Sequence, residues 1–261
     1  MALRTYNNFI NAISQGFGNG NGEPFWDEVQ TLTVSTPSGS ALPIQRLGQS
    51  LVLPALPVGV AAYIVTRFLT QTSTTLISCM LAKLIDLGRL DFSGGAPGTF
   101  TDGSTMGTAT VLGTASAARF SPVICEVTTA MNAAPGTFTI TYIDQAGNTA
   151  ETTAALTPGA SAPVRSCGTV ALNTGDLGVR DITAAATSAG TTPSGIIQFW
   201  GYIPLGFTIV QGANQGYIKN LLTTNCTAFR LGAADVLGCF AFGSTAVKAM
   251  VGWVTIVGEE T

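Results

Sequence analysis

The stretch TFTITYIDQAGNTAETTAAL, Thr137–Leu156, holds only two charged side chains, Asp144 and Glu151. Its first half sets Phe138, Ile140 and Tyr142 against Thr137, Thr139 and Thr141, the two-residue period of a half-buried β-strand. The outward side of that strand is threonine where a free-standing protein carries lysine and glutamate. Explaining that substitution leads to a part of a larger assembly.

The same economy of charge runs through all 261 residues, of which 10% are charged, against ~25% in an average soluble domain. A monomer of this size normally keeps more charge to stay dispersed, so the deficit points to a surface that faces other protein. The net charge is -3, and the eleven cations are scattered. Displacing counterions from phosphates needs clustered Lys and Arg, so direct nucleic-acid contact is not expected.

Working outward from Thr137, short strands recur with Gly, Pro, Asn or Asp between them. They are FSPVICEVTTA (120–130), GTFTITYI (136–143), ETTAAL (151–156), GTVAL (168–172) and GVRDITAAA (178–186). GIIQFWGYI (195–203), GFTIVQG (206–212), VLGCFAF (236–242) and AVKAMVGWVTIV (246–257) follow. A train of strands without intervening helices is the pattern of a β-sandwich or jelly roll. Upstream, TLTVST (31–36) reads as a strand, and Pro43, Pro54 and Pro57 make the next stretch extended or looped.

TTLISCMLAKLIDLG (74–88) reads as a helix: Leu76, Ile77, Met80, Leu81, Leu84 and Ile85 keep i, i+3, i+4 spacing, Thr74 or Thr75 caps the start, and Gly88 ends it. A second, short amphipathic helix is expected in MALRTYNNFINAIS through Leu3, Tyr6, Phe9, Ile10 and Ile13, ahead of the glycine-rich QGFGNGNGEP. The turn-rich DFSGGAPGTFTDGSTMG (91–107) then marks a boundary. The expected division is an N-terminal arm, loop and helix region at 1–92 and a β-sandwich or jelly-roll domain at 93–261. APGTFT occurs at Ala96–Thr101 and Ala134–Thr139 with different flanks, and is read as shared turn-then-strand composition.

No secretory signal is read in the first residues, and LVLPALPVGVAAYIV (51–65) is too short and too broken by Pro54 and Pro57 to span a bilayer. The expectation is a soluble chain made in the cytoplasm, without a membrane partner.

Chemistry is sparse. Histidine is absent, which removes the commonest general base together with Ser-His-Asp and Cys-His arrangements. The cysteines, Cys79, Cys125, Cys167, Cys226 and Cys239, form no CxxC pair and read as buried structural thiols, the odd one being available for an inter-subunit bond. Among fourteen acids nothing marks two as a glycosidase pair, and Asp176 and Asp181 are expected to bond local backbone. GFGNGNGEP lacks the lysine and helix of a phosphate loop, and Asn225 in NCT is a glycosylation acceptor only on a secretory route. Trp200 and Trp253 lie in apolar strands and, with Trp26, are read as core before sugar groove. The reading is therefore non-enzymatic, with no catalytic, metal or cofactor-binding residue and no cofactor.

FTITYIDQAGNTAETTAALTP (138–158) followed by LNTGDLGVRDITAAATSAGTTPSGIIQFWGYIPLGF (172–207) resembles a group of tailed-phage virion structural proteins. The matching pieces are the hairpin Thr141–Gly147, the GD-x-GVR turn and strand in Leu172–Ile182, the Gly/Thr loop Gly190–Gly195 and the strand Phe199–Leu205. LAKLIDLGRLDF (81–92) is similar to the helix that precedes the β-rich part in that group, whereas the first ninety residues match poorly. The resemblance implies a β-rich fold and a minor capsid or capsid-decorating role in the virion. It implies as partners the major capsid protein or other virion proteins and further copies of the chain, and transfers no catalytic residues. Within GD-x-GVR, Gly175 is expected to take a conformation closed to other residues, Asp176 to accept from nearby amides, and Arg180 to mark a bulge while pairing with Asp176 or Asp181, the alternative being a bidentate clamp on a neighbouring subunit. Two other readings stand beside the capsid one: a tail component that binds a host glycan through end loops, and a polysaccharide-degrading virion enzyme with two facing acids.

Overall fold

The segment from Ile77 to Asp91, whose apolar residues recur at helical spacing, is a 15-residue β-strand in the computed structural model. The helix expected over Leu76–Ile85 is thereby corrected, and the reason is burial on both faces. Met80, Ala82 and Leu84 fall on one face, Leu81, Lys83 and Ile85 on the other, and all six are buried. A strand covered on both sides has no polar stripe, so its apolar run imitates a helical one. Gly88, read as a helix stop, instead sits at φ 110° in a bulge. There the register against the partner strand jumps, from Trp200 opposite Asp86 to Gln198 opposite Arg89. The extra residue keeps Leu90 and Phe92 in the same cluster as Ile85 and Leu87, although their parity differs.

The structure describes residues 12–16, 31–33, 44–52, 61–71, 77–108, 110–111, 114–188, 194–210, 216–220, 230–231, 236–242 and 249–259. In chain order the strands begin with β1 (Ala12–Gly16), β2 (Thr31–Thr33), β3 (Ile44–Val52), β4 (Ala61–Gln71), β5 (Ile77–Asp91) and β6 (Thr99–Asp102). Next come β7 (Thr110–Val111), β8 (Thr114–Ala115), β9 (Val123–Thr129), β10 (Phe138–Asp144), β11 (Glu151–Thr152) and β12 (Ser166–Thr169). The last six are β13 (Val179–Thr187), β14 (Ile196–Val210), β15 (Gly216–Asn220), β16 (Arg230–Leu231), β17 (Val236–Phe242) and β18 (Ala249–Glu259). A 3-10 turn at Met106–Thr108 is the single helical element among the described residues. The helix expected at the N-terminus lies outside the described residues up to residue 11, and Ala12–Gly16 is strand. Among the described residues no helix is long and apolar enough to cross a membrane.

The fold is mainly β, in antiparallel sheets, consistent with a sandwich. The largest sheet runs β14-β9-β12-β3-β17-β5-β6, and β14 also pairs with β5, so the path returns on itself. GIIQFWGYI and GFTIVQG, expected as separate strands, are one strand, β14, with a register shift between Pro204 and Gly206. β5 stands on the N-terminal side of the division expected at residue 92, yet it pairs with β14, β17 and β6.

One face of this sheet gathers Met80, Leu84, Ile124, Cys167, Trp200 and Phe240. Against the other face packs the sheet β11-β10-β13, through Phe138, Ile140 and Tyr142 of β10 and Val179 and Ile182 of β13. Phe138 meets Phe92 edge-on and Phe199 at a tilt, both with ring centroids 6.0 Å apart. Each such fully buried side chain contributes roughly 1.5–3 kcal/mol.

Gly88 offers a direct check of the bulge. A Cβ there would lie 2.7 Å from the Thr101 carbonyl oxygen and 2.8 Å from the Phe100 ring, on a backbone at positive φ. Gly88→Ala is expected to lower stability by about 1–3 kcal/mol, read as an earlier midpoint in urea denaturation; an unchanged midpoint contradicts the bulge.

Candidate functional site

β10 and β13 are antiparallel neighbours, which brings the hairpin after Asp144 beside the loop before Val179. Asp144 ties the hairpin: its Oδ1 accepts from the N–H groups of Ala146, Gly147 and Asn148, and its Oδ2 from the Asn148 side chain. Burial alone would raise this carboxyl's pKa, but the bonds from Asn148, Gly147 and Ala146 hold it below the ordinary value.

The two loops are then latched together. The Tyr142 hydroxyl donates to Asp176 Oδ2 and accepts from the Asn173 N–H at 3.0 Å. Asn173 also donates 2.9 Å to Glu151 Oε2. Gln145 accepts from the Leu177 N–H through its side chain (2.9 Å), and its backbone carbonyl accepts from Nε and an Nη of Arg180 at 3.1 and 2.7 Å. A Cβ on Gly147 would stand 3.2 Å from the guanidinium, so this glycine leaves room for it.

These positions report on the GD-x-GVR expectations one by one. Gly175 has φ 100° as expected. The bulge is at Arg180, skipped between Ile143 opposite Asp181 and Asp144 opposite Val179. The side-chain pairings differ: Asp176 takes the Tyr142 hydroxyl, and Arg180 takes the Gln145 carbonyl in place of Asp176 or Asp181. Asp181 bonds the adjacent Ile182 backbone, the local role expected of it, and its pKa is raised, by burial first and by the nearby Asp102 carboxylate second. Among the described residues no group of three His, Cys, Asp or Glu side chains could hold a metal ion.

Facing away from the core, β10, β11 and β13 present Thr139, Thr141, Thr152, Ala184 and Ala186. The pairs Thr139–Ala186, Thr141–Ala184 and Thr141–Thr152 place these five on one side. The hydroxyls serve one another: Thr141 Oγ1 is 3.3 Å from Thr152 Oγ1, and Thr183 Oγ1 donates to the Thr141 carbonyl at 3.3 Å. The nearest charged side chain along this face is Asp181, opposite Ile143.

Trp200 belongs to the core, as its strand context suggested, and its Nε1 donates 2.7 Å to the buried Glu126. The side chains of Trp26 and Trp253 lie outside the described residues, as do those of Cys79 and Cys226. Cys125, Cys167 and Cys239 are free thiols. The Cys125 thiol donates to the Gly168 carbonyl at 3.2 Å, and burial pushes its pKa up to about 11. It lines a partly open apolar cavity of about 100 Å³ with Val127, Phe138, Leu156, Pro158 and Ile197. Neither the latch nor this cavity was visible as a contact in the sequence; the repeated polar positions of the two loops were the available signal.

No protein-family model matches the chain, and no curated protein sequence matches it. A solved structure described as "Structure of infectious bursal disease virus Gt strain" is similar at 10% identity and a TM-score of 0.13, over 90% of this chain and 42% of that one. The chain thus spans less than half the length of that protein, and so loose a superposition carries no argument.

Two measurements follow from the site. Burial and then the Asp176 carboxylate push the Tyr142 phenol up to about 12 from an ordinary 10. The unfolded chain therefore ionises first: this stability is complete below pH 10 and is lost as the pH rises toward 12. Tyr142→Phe is expected to cost about 1–3 kcal/mol at neutral pH and to flatten that alkaline decline, both seen in melts across pH. For Cys125, roughly one thiol in a thousand is ionised at pH 8, so iodoacetamide should leave it unmodified in the folded chain and label it after unfolding.

Proposed function

We propose that the chain is a non-enzymatic structural subunit of a phage virion, associated with the capsid through uncharged β surfaces. The observation that carries this reading is the five-residue face of Thr139, Thr141, Thr152, Ala184 and Ala186. A neighbour that covers lysine or glutamate strips water from an ion, whereas threonine brings one hydroxyl that already has a local partner. The threonines of this face keep high β propensity, which favours an ordered strand when the face is uncovered. Repeated around a shell, such modest contacts add by avidity. The jelly-roll form of the sandwich belongs to this proposal, with the GD-x-GVR latch as its corner.

The test is the composition of purified particles. The chain should be present at a fixed ratio to the major shell subunit by quantitative mass spectrometry, with cryo-EM density on the shell. Absence from particles rejects the proposal, and density confined to the tail tip replaces it with the glycan-binding reading. Thr152→Lys combined with Ala184→Lys, both at exposed positions, should leave the melting temperature unchanged and cut incorporation by about tenfold or more.

A further inference from the structure

We propose that the Asp102–Gly103 link is a site of spontaneous covalent ageing, which rearranges through a succinimide to isoaspartate and so frees the end of β6 from β5. In that reaction the amide nitrogen of Gly103 attacks the carboxyl carbon of Asp102. The nitrogen gives up its proton, a new C–N bond closes the imide ring, and a carboxyl oxygen leaves as water. Water then reopens the ring at either of its carbonyls. Opening at the former side-chain carbonyl restores aspartate. Opening at the former main-chain carbonyl leaves the chain running through Cβ and Cγ, with one extra backbone carbon and a free α-carboxylate. Water is lost once and regained once, and no other reactant is needed.

This bond stands out in sequence, in geometry and in exposure. Each of the other aspartates is followed by a residue with a side chain, whereas Asp102 is followed by glycine, which leaves the attacking nitrogen unshielded. The carboxyl is already folded onto that nitrogen: the Gly103 N–H donates to Asp102 Oδ1 at 2.9 Å. The carboxyl carbon is one covalent bond beyond that oxygen, which brings the reacting atoms close to the ~3–3.5 Å of a near-attack arrangement. Thr101, Asp102, Gly103, Ser104 and Thr105 are all exposed, so water reaches the imide once it forms. Gly103 also stands just past the last residue of β6, outside the β5–β6 ladder, so no ladder bond has to break before the attack.

The consequence lies in what surrounds Gly103. A Cβ on it would come within 2.2 Å of the Gly88 nitrogen and 2.5 Å of the Asp86 carbonyl oxygen, so its backbone rests directly on the bulge of β5. One residue on, the Ser104 N–H donates to that same Asp86 carbonyl at 2.6 Å; one residue back, Asp102 is paired with Gly88. A chain lengthened by one carbon between these two anchors cannot keep both. Either the pairing with Gly88 or the bond to Asp86 is given up, and β6 is held only through Thr99–Thr101.

The reaction belongs to the purified chain and is tested there, independently of any virion. The full chain is held for weeks at neutral pH in water enriched in oxygen-18, then digested with trypsin. Heavy oxygen and isoaspartate, the latter detected with an isoaspartyl methyltransferase, should accumulate at residue 102 about tenfold or more faster than at Asp91 of the same tryptic peptide. Asn19–Gly20 and Asn21–Gly22, which share the following glycine, lie on a different tryptic peptide and are read separately. Asp102→Glu, whose ring would need one more member, should stay unlabelled. In urea, the aged wild-type chain should show a second, earlier transition whose amplitude follows its isoaspartate content, and Asp102→Glu aged alike should not. Labelling at 102 no faster than at Asp91, or more than about tenfold slower in the folded chain than in the chain unfolded in guanidinium, overturns the proposal, because the fold then shields the bond. Isoaspartate at 102 without the earlier transition overturns the release of β6.

Discussion

β5 and β14 lie side by side along their full lengths, and the other layers are arranged on that pair. Both edges of β5 are paired and, from Met80 to Ile85, both faces are covered, whereas Asp86 and Arg89 beyond that part reach solvent. Its sequence is accordingly apolar from Cys79 to Ile85 except for the buried Lys83, and charged residues return at Asp86, Arg89 and Asp91. The bulge at Leu87–Gly88 makes this arrangement possible, since it moves the alternation by one residue where the cover changes from the β17 side to the β6 and β13 side. Asp86 and Gln198 secure the bulge, through Gln198 Nε2 to Asp86 Oδ1 and to the Gly88 carbonyl, and the Gly88 N–H to Asp86 Oδ1.

How much of this could be read from sequence depends on how many faces an element buries. β10, covered on one face, announced itself by alternation, and Phe138, Ile140 and Tyr142 were assigned to the correct side. β9, β13 and β17 were recovered to within a few residues, β9 and β17 although both of their faces are buried, because short runs between turn residues marked them as strands. β5 was misread because burial on both faces erases the two-residue period, and Gly88 suits a bulge as well as a helix end. The extension of β14 through Pro204 was missed because proline and glycine there look like a turn, and the register shift that accommodates them appears only when β5 is alongside.

The candidate site was visible in part. GD-x-GVR was recognisably a turn with a bulge, since Gly175 and Arg180 act through local backbone geometry. Which groups Asp176 and Arg180 bond was not visible, because their partners, Tyr142 and Gln145, lie more than thirty residues earlier in the chain. Seen together, the hairpin Thr141–Gly147 and the loop Leu172–Ile182 are one object: each supplies the polar groups that the other leaves unsatisfied.

The pairing of β5 with β14 has a cost during synthesis. Asp86 and Gln198 are separated by 112 positions, so a ribosome working at ~5–20 residues per second leaves β5 without its long partner for roughly 5–20 s. For that interval the two-sided apolar run of Met80–Ala82 and Leu84–Ile85 in β5 lacks its cover in the nascent chain. Fast synthesis and a low local concentration of nascent chains both favour the native pairing over an encounter with another copy.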